Sequence, residues 1–475
     1  MLEPNRIMVF TTHVFLFYFL PLFLLVYYNL PNQWRNVWIT LASYLFYGWW
    51  EPWFASLMLF TTILDFIWGK VISRPGATRM QQKLAVLACV VTNLSFLAFF
   101  KYYMFAAETM NEILAAVGAQ QFRVLQVVLP IGISFYIFHS LTYILDLYRG
   151  DATPAKSFSG FSAFVALFPN LVAGPIIRYK TLADQLQKRD HTVSRFSSGV
   201  TIFVVGFAKK ILLANPCGQV ADAVFNAASP WALDAWIGAL AYAFQIYFDF
   251  CGYSDMAVGL ARMMGFEFLK NFDAPYRSES ITEIWRRWHI SLSTVLRDYL
   301  YFALGGNRKG ERRTYFNLVV VMVLGGFWHG AKWNFVLWGA FHGLFLALER
   351  WNGKSSFYQS LPRPGRIGIT FILMLFSWVL FRADNLTAAS DYFHAMFGLS
   401  QPGNVSSLLA ATIYTPYHLI VLAVCALLVF QPLQAHDWAQ SPVTWRRAAL
   451  VVPLFIFVLL SMFSQASNPF LYFQF

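Results

Sequence analysis

The chain has 475 residues, of which 58% are apolar, 19% aromatic and only 12% charged, with a mean hydropathy of +0.51. A soluble domain carries about 25% charged residues, so this composition excludes a soluble enzyme, a disordered chain and a secreted disulfide scaffold, and leaves an integral membrane protein with many spans. The 35 Lys and Arg against 23 Asp and Glu give a net charge of +12, which in such a protein reflects basic cytoplasmic loops rather than nucleic-acid binding.

Apolar stretches long enough to span a bilayer fall at 9–28, 37–52, 53–69, 84–103, 125–148, 196–215, 232–250, 314–333, 334–349, 367–383, 415–431 and 448–465. The expected fold is an all-α polytopic membrane protein of about 11–12 transmembrane helices, forming one membrane domain over residues 1–475. The segment 161–177 is apolar but short and broken by Pro169, Gly174 and Pro175, with basic flanks, and reads as a re-entrant loop. With the N-terminus outside, the inside loops collect most of the Lys and Arg, while 383–445 contains neither; the positive-inside rule therefore places both ends outside and the basic loop 251–313 in the cytoplasm. The four cysteines form no C-x-x-C pair and read as structural.

Within 251–313, Ser280 and Glu283 have the spacing of a capping box. Ile281, Ile284, Trp285, Trp288, Leu292, Val295, Leu296, Tyr299 and Leu300 then recur at helical steps with Arg286, Arg287 and Arg297 between them, predicting an amphipathic interfacial helix ended by Gly305 and Gly306. His289 points into its apolar face. His329 lies in LGGFWHGA, within the apolar run 314–333, and an ionisable residue in a span is a functional candidate because placing it there is costly. His139 and His342 also fall in spans and read as structural. Asp249, Tyr253 and Asp255 read as a buried network with Arg or backbone partners. No metal-ligand spacing, serine-hydrolase elbow or phosphate loop is present.

The motifs MVF from Met8, LVAGPIIRY (171–179), IYFDFCGYSDMAVGLARMMGF (246–266), WRRWHISLSTVLRDYLYFALGGNR (285–308), FWHGAKWNFVLWGAFHG (327–343) and PFLYFQF (469–475) follow one another along the chain. This set resembles the membrane-bound O-acyltransferase family, in its bacterial branch that serves alginate O-acetylation and teichoic acid D-alanylation. The resemblance implies a ring-like helical fold around a central tunnel with a narrow waist. It implies that His329 is the catalytic histidine and that His289 occupies a second position usually held by histidine or asparagine. The reaction it implies is transfer of an acyl group, acetyl by expectation, from a cytoplasmic thioester such as acetyl-CoA to an exported polysaccharide, in the bacterial inner membrane. A periplasmic acetyltransferase and the polysaccharide synthesis and export machinery would be its partners, beside membrane lipids. No resident cofactor and no metal are expected. Acyl transfer to a hydroxyl needs a base and oxyanion donors; His329 suits the base, His289 an orienting role, and Arg286, Arg287 and Arg297 could attract a phosphorylated donor or anionic lipid. Competing readings are D-alanyl transfer to teichoic acid, a transporter with proton-relay histidines, and a non-enzymatic export subunit.

Overall fold

The computed structural model describes residues 8–353, 355–400, 407–439, 444–465 and 470–471. Every regular element among them is helical, as an all-α polytopic protein requires. The stretches Pro52–Ile72, Arg79–Ala116, Val193–Phe225, Arg363–Arg382 and Trp445–Ser464 are each long and apolar enough to cross a bilayer. In Trp445–Ser464 the exposed side chains include Leu450, Val452, Ile456, Phe457 and Leu460, a surface that water would not tolerate and lipid covers at no cost.

Three expected elements differ in extent. The run expected to span 125–148 becomes helical only at Ile133–Arg149, because Pro130 lacks an N–H and Gly132 holds a left-handed φ of 76°. Upstream of it, the side chain of Asn111 bonds both backbone groups of Phe122, at 2.8 and 3.0 Å, and so gives extended chain the partners a helix would have supplied. The span at 232–250 continues to Met263 as one helix of 32 residues, so the start of the basic loop is helical. Residues 161–177 are all buried, as two short helices, Phe158–Val165 and Phe168–Leu171, followed by irregular chain.

The chain packs as two compact units, Met1–Phe196 with Leu260–Phe268, and Ser197–Gly259 with Leu269–Phe475. The core of the first is aromatic: Phe168 meets Phe19 and Phe23 edge-on, at ring separations of 5.4 and 5.1 Å. In the second, helices Glu311–His329 and Trp333–Trp351 form a tight hairpin. Gly326 and Gly339 set its spacing, since a Cβ on Gly326 would lie 2.2 Å from the Phe335 carbonyl and one on Gly339 2.3 Å from that of Met322. Small residues at such a crossing let two backbones touch, which is how helices associate where lipid removes the hydrophobic drive.

Gly339→Ala is therefore expected to destabilise the protein by about 1–3 kcal/mol, the usual cost of overpacking. Gly368→Ala, at a helical position with no atom within 4 Å of the added carbon, should be neutral or slightly stabilising. Thermal unfolding of both variants in detergent checks the contrast; equal effects would mean the hairpin is not packed at backbone distance.

Candidate active site

The helix expected over 281–300 is broken at its centre, inside the second unit. Ile281–Arg287 ends at Trp288, His289 takes a left-handed conformation (φ 44°, ψ 55°), and Ile290–Val295 starts anew. The first piece is firmly begun. Ser280 Oγ accepts from Glu283 N at 3.1 Å, and both carboxylate oxygens of buried Glu349 accept first-turn backbone N–H groups, from Ile281 and Thr282, at 2.8 Å. These are donors a helix start leaves without partners. The expected capping box is only half formed, because the Glu283 carboxylate accepts from Glu279 N at 2.8 Å instead of from Ser280.

The break is held by the segment around Asn271. Arg287 O accepts from Asp273 N, and Ile290 N donates to Asn271 O, both at 2.9 Å, so the chain on each side of His289 is clamped to one strip of backbone. That strip is itself pinned: Lys270 Nζ lies 2.7 Å from both Asp273 and Asp437, and Arg287 bonds Glu283 at 2.8 Å. Burial works against the charge on Lys270, but its two carboxylates prevail and raise its pKa. A non-glycine residue with positive φ is uncommon and needs such over-determination.

Asn271 also orients the imidazole. Its Oδ1 accepts from Ser291 N at 3.1 Å and from Ser291 Oγ at 2.9 Å, which fixes which end of the amide faces them. The same oxygen lies 3.3 Å from His289 Nδ1. A carbonyl oxygen can only accept, so Nδ1 carries the proton and Nε2 keeps its lone pair. Nε2 is buried without a hydrogen-bond partner. His289 sits between the spanning helices, 1% exposed, and burial drives its pKa down to about 3, so the ring is neutral.

His329 is the last residue of Glu311–His329, followed by extended Gly330. Beyond it the chain turns back, and Gly330 lets the Phe335 ring of the returning helix pack close, since a Cβ at Gly330 would fall 2.2 Å from that ring. The imidazole is packed edge-on against Trp328, Trp338 and Phe381 at 5.0, 5.3 and 5.4 Å. It faces a narrow cavity of about 30 Å³ whose walls include Asp249, Phe250, Trp288, Trp338 and Trp378. Trp378 is fixed by donating from Nε1 to Tyr276 OH at 3.0 Å, while that hydroxyl donates to Ala243 O at 2.8 Å. His289 is not part of the wall; it backs Phe250, which meets its ring edge-on at 4.7 Å.

The remaining sequence candidates fall in different places. Asp249 is buried, paired with Lys210 at 2.5 Å and accepting from Leu471 N at 2.8 Å, so its partners are a lysine and the backbone. Asp255 pairs with Lys209 at 2.7 Å, and Tyr253 stacks on Phe470 at 4.3 Å. His342 is caged by Trp285, Trp338 and Phe341, and His139 accepts from Ile177 N at 3.5 Å in the first unit. Arg287 and Arg297 are engaged by carboxylates, Arg297 by Asp298 at 2.7 Å, and Arg286 is exposed. Among the described residues no three His, Cys, Asp or Glu side chains converge as metal ligands.

Comparison with known proteins gives the family. Residues 147–381 match the model of the membrane-bound O-acyltransferase family. The probable alginate O-acetylase AlgI of Pseudomonas putida is 44% identical over 98% of this chain and the whole of that protein. The chain belongs to the membrane-bound O-acyltransferase family. A peptidoglycan O-acetyltransferase of Helicobacter pylori is 33% identical over 83% of this chain and 80% of its own length. A teichoic acid D-alanyltransferase of Streptococcus thermophilus is 29% identical over 46% and 56%. As a member of that family the protein is an acyltransferase carried by several membrane spans.

Asn271, Lys210 and Tyr276 were not singled out by sequence. The one signal for Asn271 is a carboxamide set in the aromatic run FEFLKNF. Removing it in Asn271→Ala takes the acceptor from His289 and Ser291 together, and activity should fall about 10²-fold, as misplacement of a reacting group does, with folded protein retained. His289→Asn should be more stable than His289→Ala by up to about 1 kcal/mol, since both remove the ring but asparagine enters left-handed backbone more easily than alanine. Side-by-side thermal unfolding of the two His289 variants checks the backbone conformation independently of catalysis.

Proposed function

We propose that this acyltransferase moves an acetyl group from a cytoplasmic thioester, acetyl-CoA, to a hydroxyl of an exported polysaccharide such as alginate, in the bacterial inner membrane. The observation that carries this reading is a buried aromatic cavity that presents the imidazole of His329, in a chain similar from end to end to an alginate O-acetylase. In the proposed reaction His329 takes the proton of the attacking hydroxyl as its oxygen bonds to the thioester carbonyl carbon. The tetrahedral oxyanion then collapses, the C–S bond breaks, and the imidazolium returns the proton to the departing thiolate. A positioned base of this kind typically contributes 10²–10⁴-fold.

The cavity's other residues support the same chemistry. Trp338 Nε1 is a buried donor without a partner in the cavity wall, and an indole N–H there suits a developing oxyanion. Tryptophan and phenylalanine walls keep water from intercepting the thioester. His289, kept neutral by burial and in its Nδ1–H tautomer by Asn271, orients or polarises from behind Phe250. Arg286, with Arg287 and Arg297 beside it, would draw a phosphorylated donor toward the membrane. A periplasmic acetyltransferase supplies that attacking hydroxyl and hands the acetyl ester on to the polysaccharide, together with the synthesis and export machinery. D-alanyl transfer to teichoic acid is less favoured, because the similarity to such enzymes covers about half of either chain.

The test is the acetyl-ester content of the exported polysaccharide in a deletion strain complemented with the parent gene or His329→Ala at matched protein levels. Restoration by the parent and a loss of at least about 10²-fold in acetylation rate with the variant is expected. Equal restoration by both would remove His329 from the mechanism, and an unacetylated product in the parent strain would redirect the search to another acyl group.

A further inference from the structure

The second compact unit carries a groove of about 370 Å³, against about 30 Å³ at His329, and the two share no lining residue. Its walls come from the spanning helices Val193–Phe225 and Trp445–Ser464, from Ala232–Met263, and from Pro416–Leu428 with the turn that follows it. The polar atoms in these walls are engaged with protein partners. Lys209 Nζ lies 2.7 Å from Asp255 Oδ2 and 3.2 Å from Cys251 Sγ. The Tyr247 hydroxyl donates to Gln434 Oε1, and Gln434 Nε2 donates to Gln431 O, both at 3.2 Å. What is left to face the space is apolar, including Leu212, Leu213, Leu428 and Leu454. Such a surface offers water few of the partners it needs and suits a hydrocarbon chain.

Two features identify whose chain it is. The groove opens where the protein meets lipid: Leu428 and Leu433 on its rim are 43% and 63% exposed, and Leu454 stands one turn from the outward Leu450 and Phe457. The groove also reaches headgroup depth. Trp438 forms part of its wall, and the Arg447 guanidinium lies 5.3 Å over that ring and donates to the Trp438 carbonyl at 2.8 Å. Arg446 and Arg447 open the helix Trp445–Ser464, and the positive-inside rule puts such a pair at the cytoplasmic face, where tryptophan also gathers. Leu454 is seven residues further along, roughly 10 Å deeper at 1.5 Å per residue. The nearby carboxylate of Asp437 is held by Lys270 at 2.7 Å, so its charge is answered and does not oppose an anion at Arg447. A cation and an indole at the surface above an apolar slot that opens on hydrocarbon match a phosphate with an acyl chain below it.

We propose that this groove binds a glycerophospholipid of the cytoplasmic leaflet, with its phosphate at Arg447 and one acyl chain running past Leu212 and Leu213 toward Leu454. The chain then lies against Tyr247 and Phe248, on a helical turn whose other residues, Ile246, Asp249 and Phe250, line the cavity at His329. The experiment places the purified full-length protein in nanodiscs containing phosphatidylglycerol with a diazirine midway along one acyl chain. After irradiation and digestion, mass spectrometry locates the label. Label on half-buried Leu212 and Leu213 and on buried Tyr247 is expected, beside the label that bulk lipid leaves on outward side chains such as Ile456 and Phe457. Leu454→Trp, which fills the groove, should remove the first set and leave the second unchanged, and Leu213→Trp serves should that variant fail to fold. Arg447→Gln should weaken groove labelling by phosphatidylglycerol, and a diazirine diacylglycerol, which has no phosphate, should label the groove weakly in the parent. Label confined to outward side chains would overturn the proposal, as would groove label that persists unchanged with tryptophan in place. Equal groove labelling by diacylglycerol and phosphatidylglycerol would overturn the assignment to a phospholipid.

Discussion

The backbone at His289 holds φ 44° because bonds on both sides leave it no alternative, and the arrangement of the active site follows from that constraint. On one side Glu349 and Ser280 start a short helix whose last carbonyl, on Arg287, is taken by Asp273. On the other, Ile290 N is taken by Asn271. Left-handed backbone in a residue with a Cβ costs about 1–2 kcal/mol, a strain that surrounding bonds must outweigh. It has a return. The kink buries Trp288 and His289 side by side, so that Trp288 lines the cavity while His289 supports Phe250 from behind. A continuous helix would carry successive residues about 100° apart around its axis and could not set both inward.

The same strip of chain does two jobs. Asn271 supplies the carbonyl that clamps the break and the side-chain oxygen that sets the imidazole tautomer. Geometry and chemistry are therefore coupled at one residue, and a change there disturbs both. The second histidine, His329, is placed by a different device: a helix that ends where Gly330 lets Phe335 close against it. Buried pairs such as Lys210–Asp249 then complete the wall at its polar point. Breaking such a pair from one side is far more damaging than its net contribution suggests.

Much of this was legible in the residues. Length and apolarity gave the helical membrane class, and the WHG motif marked His329. The Ser280 start was legible because a cap is a local device. The break at His289 was not, because the periodicity of Ile284, Trp285, Trp288 and Leu292 fits a continuous helix equally well. Only the distant partner Asn271, eighteen residues upstream, distinguishes the two, and no local pattern carries a contact of that range. One clue was present in the resemblance, which implied histidine or asparagine at position 289. Both belong to the few residue types that enter left-handed backbone with some ease. Pro130 and the left-handed Gly132 explain the other miss, where apolarity alone suggested a span from 125 and the helix starts only at Ile133.

The central claim is that burial keeps His289 a neutral ring while Asn271 sets its tautomer, with the proton on Nδ1 and Nε2 bare. Nitrogen-15 NMR of protein labelled at histidine, with His289→Asn used to assign the signal, reads this directly. The account predicts a protonated Nδ1 and an unprotonated Nε2 at neutral pH, with that distinction lost in Asn271→Ala. An Nε2–H tautomer, or a doubly protonated ring, would contradict it.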